Sequence, residues 1–181
     1  MTVHYLLHWL VLTGKATMSR EVHQSKITTR RATYEDCLTL APNLRQEDKD
    51  EVWAGNRFLP EEALIFSFLS CPNAYVAILN DEILCMFGCS PKDTEGFGTP
   101  WLLGTDNIKI FSKEFLAVSH QIFARTITPY HFLSNTVWSK NVVHIKWLKW
   151  MGFTRDPQEL ISPNNEVFFY FYMHTKEYKY V

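Results

Sequence analysis

The chain has 181 residues, a formal charge of −1 at pH 7, 46% hydrophobic residues and 15% aromatic residues. That length suits one domain with a single substantial core, and that apolar content excludes a disordered chain. The near-zero charge excludes a protein whose main business is holding nucleic acid by its phosphates.

Residues 3–13, VHYLLHWLVLT, form an apolar run that falls short of the ~20 residues a membrane-spanning helix needs. No Lys or Arg precedes Lys15, as a signal peptide would require. We read 1–25 as a leader, an over-extended start, and expect one domain over 26–181, with no membrane contact. Ile27 to Ala32 predicts the first strand. Thr33 followed by Asp36 reads as a capping box, opening a helix whose apolar face is Cys37, Leu38, Leu40, Ala41 and Leu44. In the next helix Arg45, Asp48 and Glu51 fall three apart and so share one face, either a solvated stripe or a functional one. Gly55-Asn56 is expected to end it, and Pro60 to start another helix running to about Ser70.

Ala74 to Leu79 and Glu82 to Cys89 are expected strands, joined by a two-residue turn at Asn80-Asp81. Ser90 to Gly98 reads as a polar loop and Pro100 to Gly104 as a short strand. Phe111, Phe115, Val118 and Ile122 recur at helical spacing, predicting a helix to about Thr126. Phe132 to Trp138 is the next strand. Asn141 or Ser139 can cap a helix whose stripe is Val143, Trp147, Trp150 and Met151, with Trp147 and Met151 buried, Lys146 and Lys149 in water, and Gly152 closing it. Strands follow near Gln158 to Ile161 and over Glu166 to His174, the latter aromatic on both sides and therefore expected inside the sheet. The four cysteines are expected to be reduced and buried. Cys85-x-x-x-Cys89 lacks a second pair or a nearby His, so no metal is expected.

The run Asn141-x-x-His144-x-x-Trp147-Leu148-Lys149-x-x-Gly152-Phe153 is similar in spacing to the last helix of the GCN5-related N-acetyltransferases (GNAT). In those enzymes a Tyr usually stands where this chain has Leu148. A closer resemblance is to a GNAT-like family of T7-like podovirus proteins, the gene-13 internal virion protein and its relatives, in which VW-x-x-N-x-x-HI-[RK]-[WF]-LK-x-x-G recurs. The segment Leu-Arg-x-x-Asp-x-x-Glu-Val over 44–52 resembles the same group, which makes Arg45, Asp48 and Glu51 a candidate functional face. The resemblance and the element order together imply an α/β (α+β) fold, a GNAT-like mixed and mostly antiparallel sheet with helices on both faces.

In acetyltransferases of that fold a glycine-rich turn after the fourth strand holds the cofactor diphosphate on backbone N–H groups. The matching segment is Leu103 to Lys109, with one glycine. The resemblance thus gives Gly104, Thr105, Asn107 and Asn141 as cofactor-binding candidates. Asp106 or Asn107 is placed to cap the helix, which would set a carboxylate where a phosphate would go. Leu148 cannot donate a proton. His144, one turn away, is the catalytic candidate, against its reading as a packed core histidine. Trp138, Trp147 and Trp150 with Lys140, Lys146 and Lys149 could stack bases and hold phosphates, but we read the tryptophans as facing the sheet and the lysines as facing water, and nucleic acid is not an expected partner.

The resemblance therefore implies a phage GNAT-fold protein acting in virion morphogenesis or as an internal virion component. It would work through phage virion or host proteins, in the virion or the host cytoplasm, without catalysis and without a cofactor. The alternative is an acetyl-CoA-dependent N-acyltransferase.

Overall fold

A computed structural model describes residues 27–110 and 112–178. The apolar run at 3–13 and the leader to residue 25 lie outside the described residues.

Seven strands form one sheet in the order β1-β2-β3-β4-β5-β7-β6. The first half of the chain builds β1 (Thr28–Arg31), α1 (Tyr34–Leu40), a short 3-10 turn (Ala41–Asn43), α2 (Gln46–Asn56), α3 (Pro60–Leu69), β2 (Tyr75–Leu79), β3 (Glu82–Pro91) and β4 (Phe97–Gly104). The second half builds α4 (Asn107–Ile110), α5 (Ser112–Ile127), β5 (Phe132–Trp138), α6 (Val142–Trp150), β6 (Thr154–Ile161) and β7 (Val167–His174). Every neighbouring pair is antiparallel except β4 with β5. The expected α+β, mostly antiparallel architecture is the observed one, and β7 lies inside the sheet between β5 and β6.

Local chemistry explains most boundaries. Thr33 accepts from the Asp36 N–H, and the Asp36 carboxylate accepts from the Thr33 N–H at 2.8 Å, so the capping box closes both ways. Asn80 and Asp81 take φ of 49° and 66°, the paired left-handed residues of a tight hairpin turn. The loop expected at Ser90 to Gly98 is shorter than its polar composition suggests, because β3 runs on to Pro91 and β4 begins at Phe97. Likewise β6 begins at Thr154 and not near Gln158, with a register shift between Arg155 and Glu159 absorbing the irregular middle.

One expectation needs refinement and one needs correction. Asn56 is the last residue of α2, as expected, but the left-handed residue that follows it is Arg57, at φ 58°, and not the glycine. A partner far away in sequence fixes that end. The Asn164 side-chain amide donates to the Ala54 and Gly55 carbonyls at 3.0 and 3.3 Å, and its oxygen accepts from Arg57 Nε at 2.7 Å. The phase of α6 is also shifted. Met151 is buried and Lys146 and Lys149 are exposed as expected, but the face toward the sheet is centred on Leu148, which is 0% exposed, with His144 beside it. Trp147 is only half-buried and turns edge-on to Phe123, and Trp150 is 44% exposed.

The core has three parts. α6 and the end of α5 pack on β5 and β7 through Leu148, Met151, Phe123, Leu133, Val137 and Phe171. α5 covers β2 to β4 on the same face through Phe115 and Ile122. α1 and α3 close the opposite face through Cys37, Leu40 and Leu64 against Val76 and Met86. All four cysteines are free and buried. Burial pushes the Cys37 thiol up to about 11 and that of Cys85 up to about 12, so neither is a thiolate nucleophile near neutrality.

Candidate functional site in the fork of the sheet

β4 and β5 are paired only at Phe97 with Phe132 and Gly98 with Leu133. Beyond those residues β4 stays with β3 as far as Gly104, and β5 stays with β7 as far as Trp138. The two parallel strands therefore diverge toward their C-terminal ends and open a fork in the sheet. The Asn135 side-chain amide spans its narrow end, donating to the Pro100 carbonyl at 2.8 Å.

α2 fills the wide end with the charged face read from the sequence. That face is not solvated: Arg45 is 4% and Asp48 2% exposed. Arg45 donates to Asp48 at 2.8 Å, the other Asp48 oxygen accepts the Gly104 N–H at 2.9 Å, and the Arg45 N–H donates to the Gly104 carbonyl at 2.9 Å. α2 is thereby stitched to the last residue of β4. Burial raises the Asp48 pKa above its ordinary value, opposed by the Arg45 charge and by the hydrogen bonds from Arg45 and Gly104. Burial alone would lower that of Arg45, but the Asp48 charge and hydrogen bond, with Glu47 and Glu51, raise it.

One turn further along α2, Glu51 reaches the start of α6. Its Oε2 accepts a short hydrogen bond from the Asn141 side-chain amide and lies 3.4 Å from His144 Nδ1. The Asn141 oxygen in turn accepts the His144 N–H at 3.1 Å and caps α6. Glu51, Asn141 and His144, the first and last 93 positions apart, thus form one cluster beside the Arg45–Asp48 pair.

Two cavities flank this cluster. One, of about 430 Å³, lies among the end of β4, α5 and α6; its apolar wall includes Leu102, Phe115, Trp147 and Trp150, and Arg45, His144 and Lys146 are its polar members. The other, of about 660 Å³, lies against α2 and α3 and is bordered by Glu51. Glu51 and His144 meet between the two.

The structure sorts the sequence candidates unevenly. Arg45, Asp48, Glu51, Asn141, His144 and Gly104 come together, but Gly104, Thr105, Asn107 and Asn141 are absent from the described lining of the 430 Å³ cavity. The Gly104 N–H is taken by Asp48, and the Thr105 N–H by the Leu84 carbonyl at 2.8 Å. A carboxylate does occupy the Gly104 amide, and it is that of Asp48 on α2. The glycine itself answers a packing demand: a Cβ at 104 would stand 3.0 Å from the Cys85 Cβ and 3.1 Å from the Leu84 carbonyl oxygen, and would run into Ile108. Asn107 opens the short helix α4, and its amide reaches Glu82 at 3.3 Å. Asn141 is fully buried. The tryptophan and lysine cluster is divided, with Trp138 held by Glu166 beside Lys140 and bordering a different cavity from Trp147 and Trp150.

Sequence reasoning missed Trp147 as a wall of the cavity. Among the described residues its indole N–H, Arg45 Nε and His144 Nε2 are buried without hydrogen-bond partners, as are Trp101 Nε1 and Thr105 Oγ1. A buried polar atom left unpaired costs about 1–3 kcal/mol. Three such atoms belong to residues that line one cavity, although the atoms themselves are sealed from it.

No protein-family model matches the sequence, and no curated protein is significantly similar to it. Solved structures do share its fold. An acetyltransferase of the GNAT family from Streptococcus pneumoniae matches with a TM-score of 0.55 at 14% identity, over 82% of this chain and 99% of that one. yncA from Salmonella typhimurium, with its cofactor acetyl-CoA, matches with a TM-score of 0.62 at 12% identity, over 85% and 96%. AAC(6')-Ib, in complex with ribostamycin and coenzyme A, matches with a TM-score of 0.59 at 17% identity, over 83% and 94%. At these identities the likeness is one of architecture: the chain has the GNAT fold.

Proposed function

We propose that this protein is an acyl-thioester-dependent N-acyltransferase, with the thioester in the 430 Å³ cavity and the amine acceptor in the cleft on the α2 side. The observation that carries the reading is the Glu51–His144 pair, set between two cavities with His144 Nε2 buried and unpartnered. Structural neighbours solved with acetyl-CoA or coenzyme A support it. The residues fit such a donor in part. Arg45, His144 and Trp147 would hold its acyl and amide-bearing arm, whereas the Gly104–Thr105 turn has no amide to give a diphosphate.

A bound thioester supplies the electrophilic carbonyl. Glu51 faces Nδ1 and so holds the His144 tautomer whose Nε2 carries the lone pair. With a donor bound, Nε2 would accept a proton from the attacking amine and would be the group to return it to the departing thiol. That proton return is the task Leu148, 0% exposed and without a donor, cannot perform.

A second reading has a specific observation in its favour. The internally bonded Gly104 and Thr105 amides suit a GNAT-fold protein that has given up the cofactor. With the sequence resemblance, this supports a phage protein acting in virion morphogenesis, or as an internal virion component, through protein contacts in the virion or host cytoplasm.

Calorimetric titration with acetyl-CoA separates the two. The enzyme reading expects saturable binding with Kd below ~1 mM, equivalent to more than ~4 kcal/mol. It also expects His144→Gln to keep that binding while lowering thiol release with an amine acceptor by about 10²–10⁴-fold. Absence of saturable binding would instead favour the virion reading.

A further inference from the structure

The cleft on the α2 side has a chemistry of its own. Among the described residues that line it, Glu51 is the one with a formal charge. The remainder are neutral polar groups such as Ser67, Ser90 and Asn135, and apolar or aromatic ones, notably Phe66, Trp101 and Phe168. Among the described residues only one Glu51 oxygen is committed: Oε2 takes both the Asn141 amide and the His144 contact, and Oε1 has no partner there. At the rim, Phe66 is 60% and Ile161 61% exposed.

We infer that this cleft selects acceptors with a single ammonium attached to an aromatic or branched apolar body, and discriminates against polyamines. The inference rests on the acyltransferase reading for the role of acceptor. The ammonium would pair with Glu51 Oε1 and give up its extra proton to solvent before the neutral amine attacks, and the apolar body would cover Phe66 and Trp101. An ammonium beside aromatic faces is stabilised further by the ring quadrupoles. A carboxylate and an ammonium attract more strongly in a partly desolvated cleft than in bulk water. One carboxylate can hold one cation. A second ammonium of a polyamine would lose water in the cleft and find no counter-charge, a cost the first pairing does not offset. The selectivity therefore follows from the count of carboxylates as much as from the shape of the walls.

The test is binding of three probes to the full chain by calorimetry: phenethylamine, its neutral counterpart 2-phenylethanol, and spermidine. Phenethylamine should bind about tenfold or more tighter than either of the others. Glu51→Gln should abolish its advantage over the alcohol, while Phe66→Ala should weaken amine and alcohol alike. Spermidine binding as tightly as phenethylamine, or equal binding of amine and alcohol to the unmodified chain, would overturn the inference, and that comparison stands even if Glu51→Gln does not fold. A parallel acetyl-CoA titration keeps the two readings apart. Amine selectivity without acetyl-CoA binding removes the donor assignment and leaves the cleft, whereas acetyl-CoA binding with no amine selectivity does the reverse.

Discussion

Replacing Asp48 by Ala should be among the most damaging single changes in the chain. It removes the partner of a guanidinium that is 4% exposed, and the acceptor of the Gly104 N–H. Stranding a buried charge costs about 3–5 kcal/mol, and an unpaired buried N–H about 1–3. One carboxylate serves both, so the losses overlap, and we expect about 4–6 kcal/mol in total. Set against a typical domain stability of ~5–15 kcal/mol, this brings the variant close to unfolding. With an m-value of ~2 kcal/mol per molar, the urea midpoint followed by tryptophan fluorescence should fall by about 2–3 M. The double replacement Arg45→Met with Asp48→Leu removes both charges together. It should lose only the ~1–3 kcal/mol of the Gly104 N–H, because an apolar pair often substitutes for a buried ion pair at little cost. A single variant within ~1.5 kcal/mol of the parent, or a double as unstable as the single, would refute this account of the fork.

Leu148→Ala should cost about 2–5 kcal/mol and Lys149→Ala should stay within about 0.5, a contrast chemical denaturation resolves and that fixes the phase of α6. Asn164→Ala should cost about 1–2 kcal/mol by thermal unfolding, since it strips the cap from the end of α2 and the partner from Arg57. Burial would raise the Asp36 pKa, but hydrogen bonds from Arg30 and from the Thr33 N–H and hydroxyl, with the Arg30 charge, hold it below the ordinary value. Its contribution to stability is therefore full above the unfolded carboxylate value of ~3.9 and is lost as pH falls through the lower folded value. Denaturation curves at stepwise lower pH should show Asp36→Asn losing less stability below pH ~4 than the parent.

The features legible in the sequence are those whose determinants lie within a few residues of one another. Thr33 with Asp36, Asn80 with Asp81, and Asn141 through Gly152 each bring their own geometry, so those turns and caps form where expected. Gly55-Asn56 marks where α2 stops, but the Asn164 amide that holds that end lies over a hundred residues away and leaves no local signal. The site divides in the same way. The spacing of Arg45, Asp48 and Glu51 gives one helix face, and that of Asn141 and His144 another, but nothing in either spacing says the two faces meet. Their meeting depends on β4 and β5 parting after two residue pairs, a property of strand pairing and not of any motif. Gly104 misled for a related reason. A glycine after a strand suggests room for a phosphate, whereas here it makes room for Ile108 and the neighbouring strand.

The narrow junction between β4 and β5 also bears on how the molecule comes apart. Ladder hydrogen bonds join β1 to β4 on one side and β5 to β7 on the other, but across the middle they are confined to residues 97–98 and 132–133. The sheet is thus two cooperative blocks, clamped by α2 and by the helix packing. Native-state amide exchange should resolve them as two opening units of different free energy. Weakening the clamp at Glu51 and Asn141 should accelerate exchange first at the free ends of β4 and β5, while the β2–β3 hairpin keeps its protection.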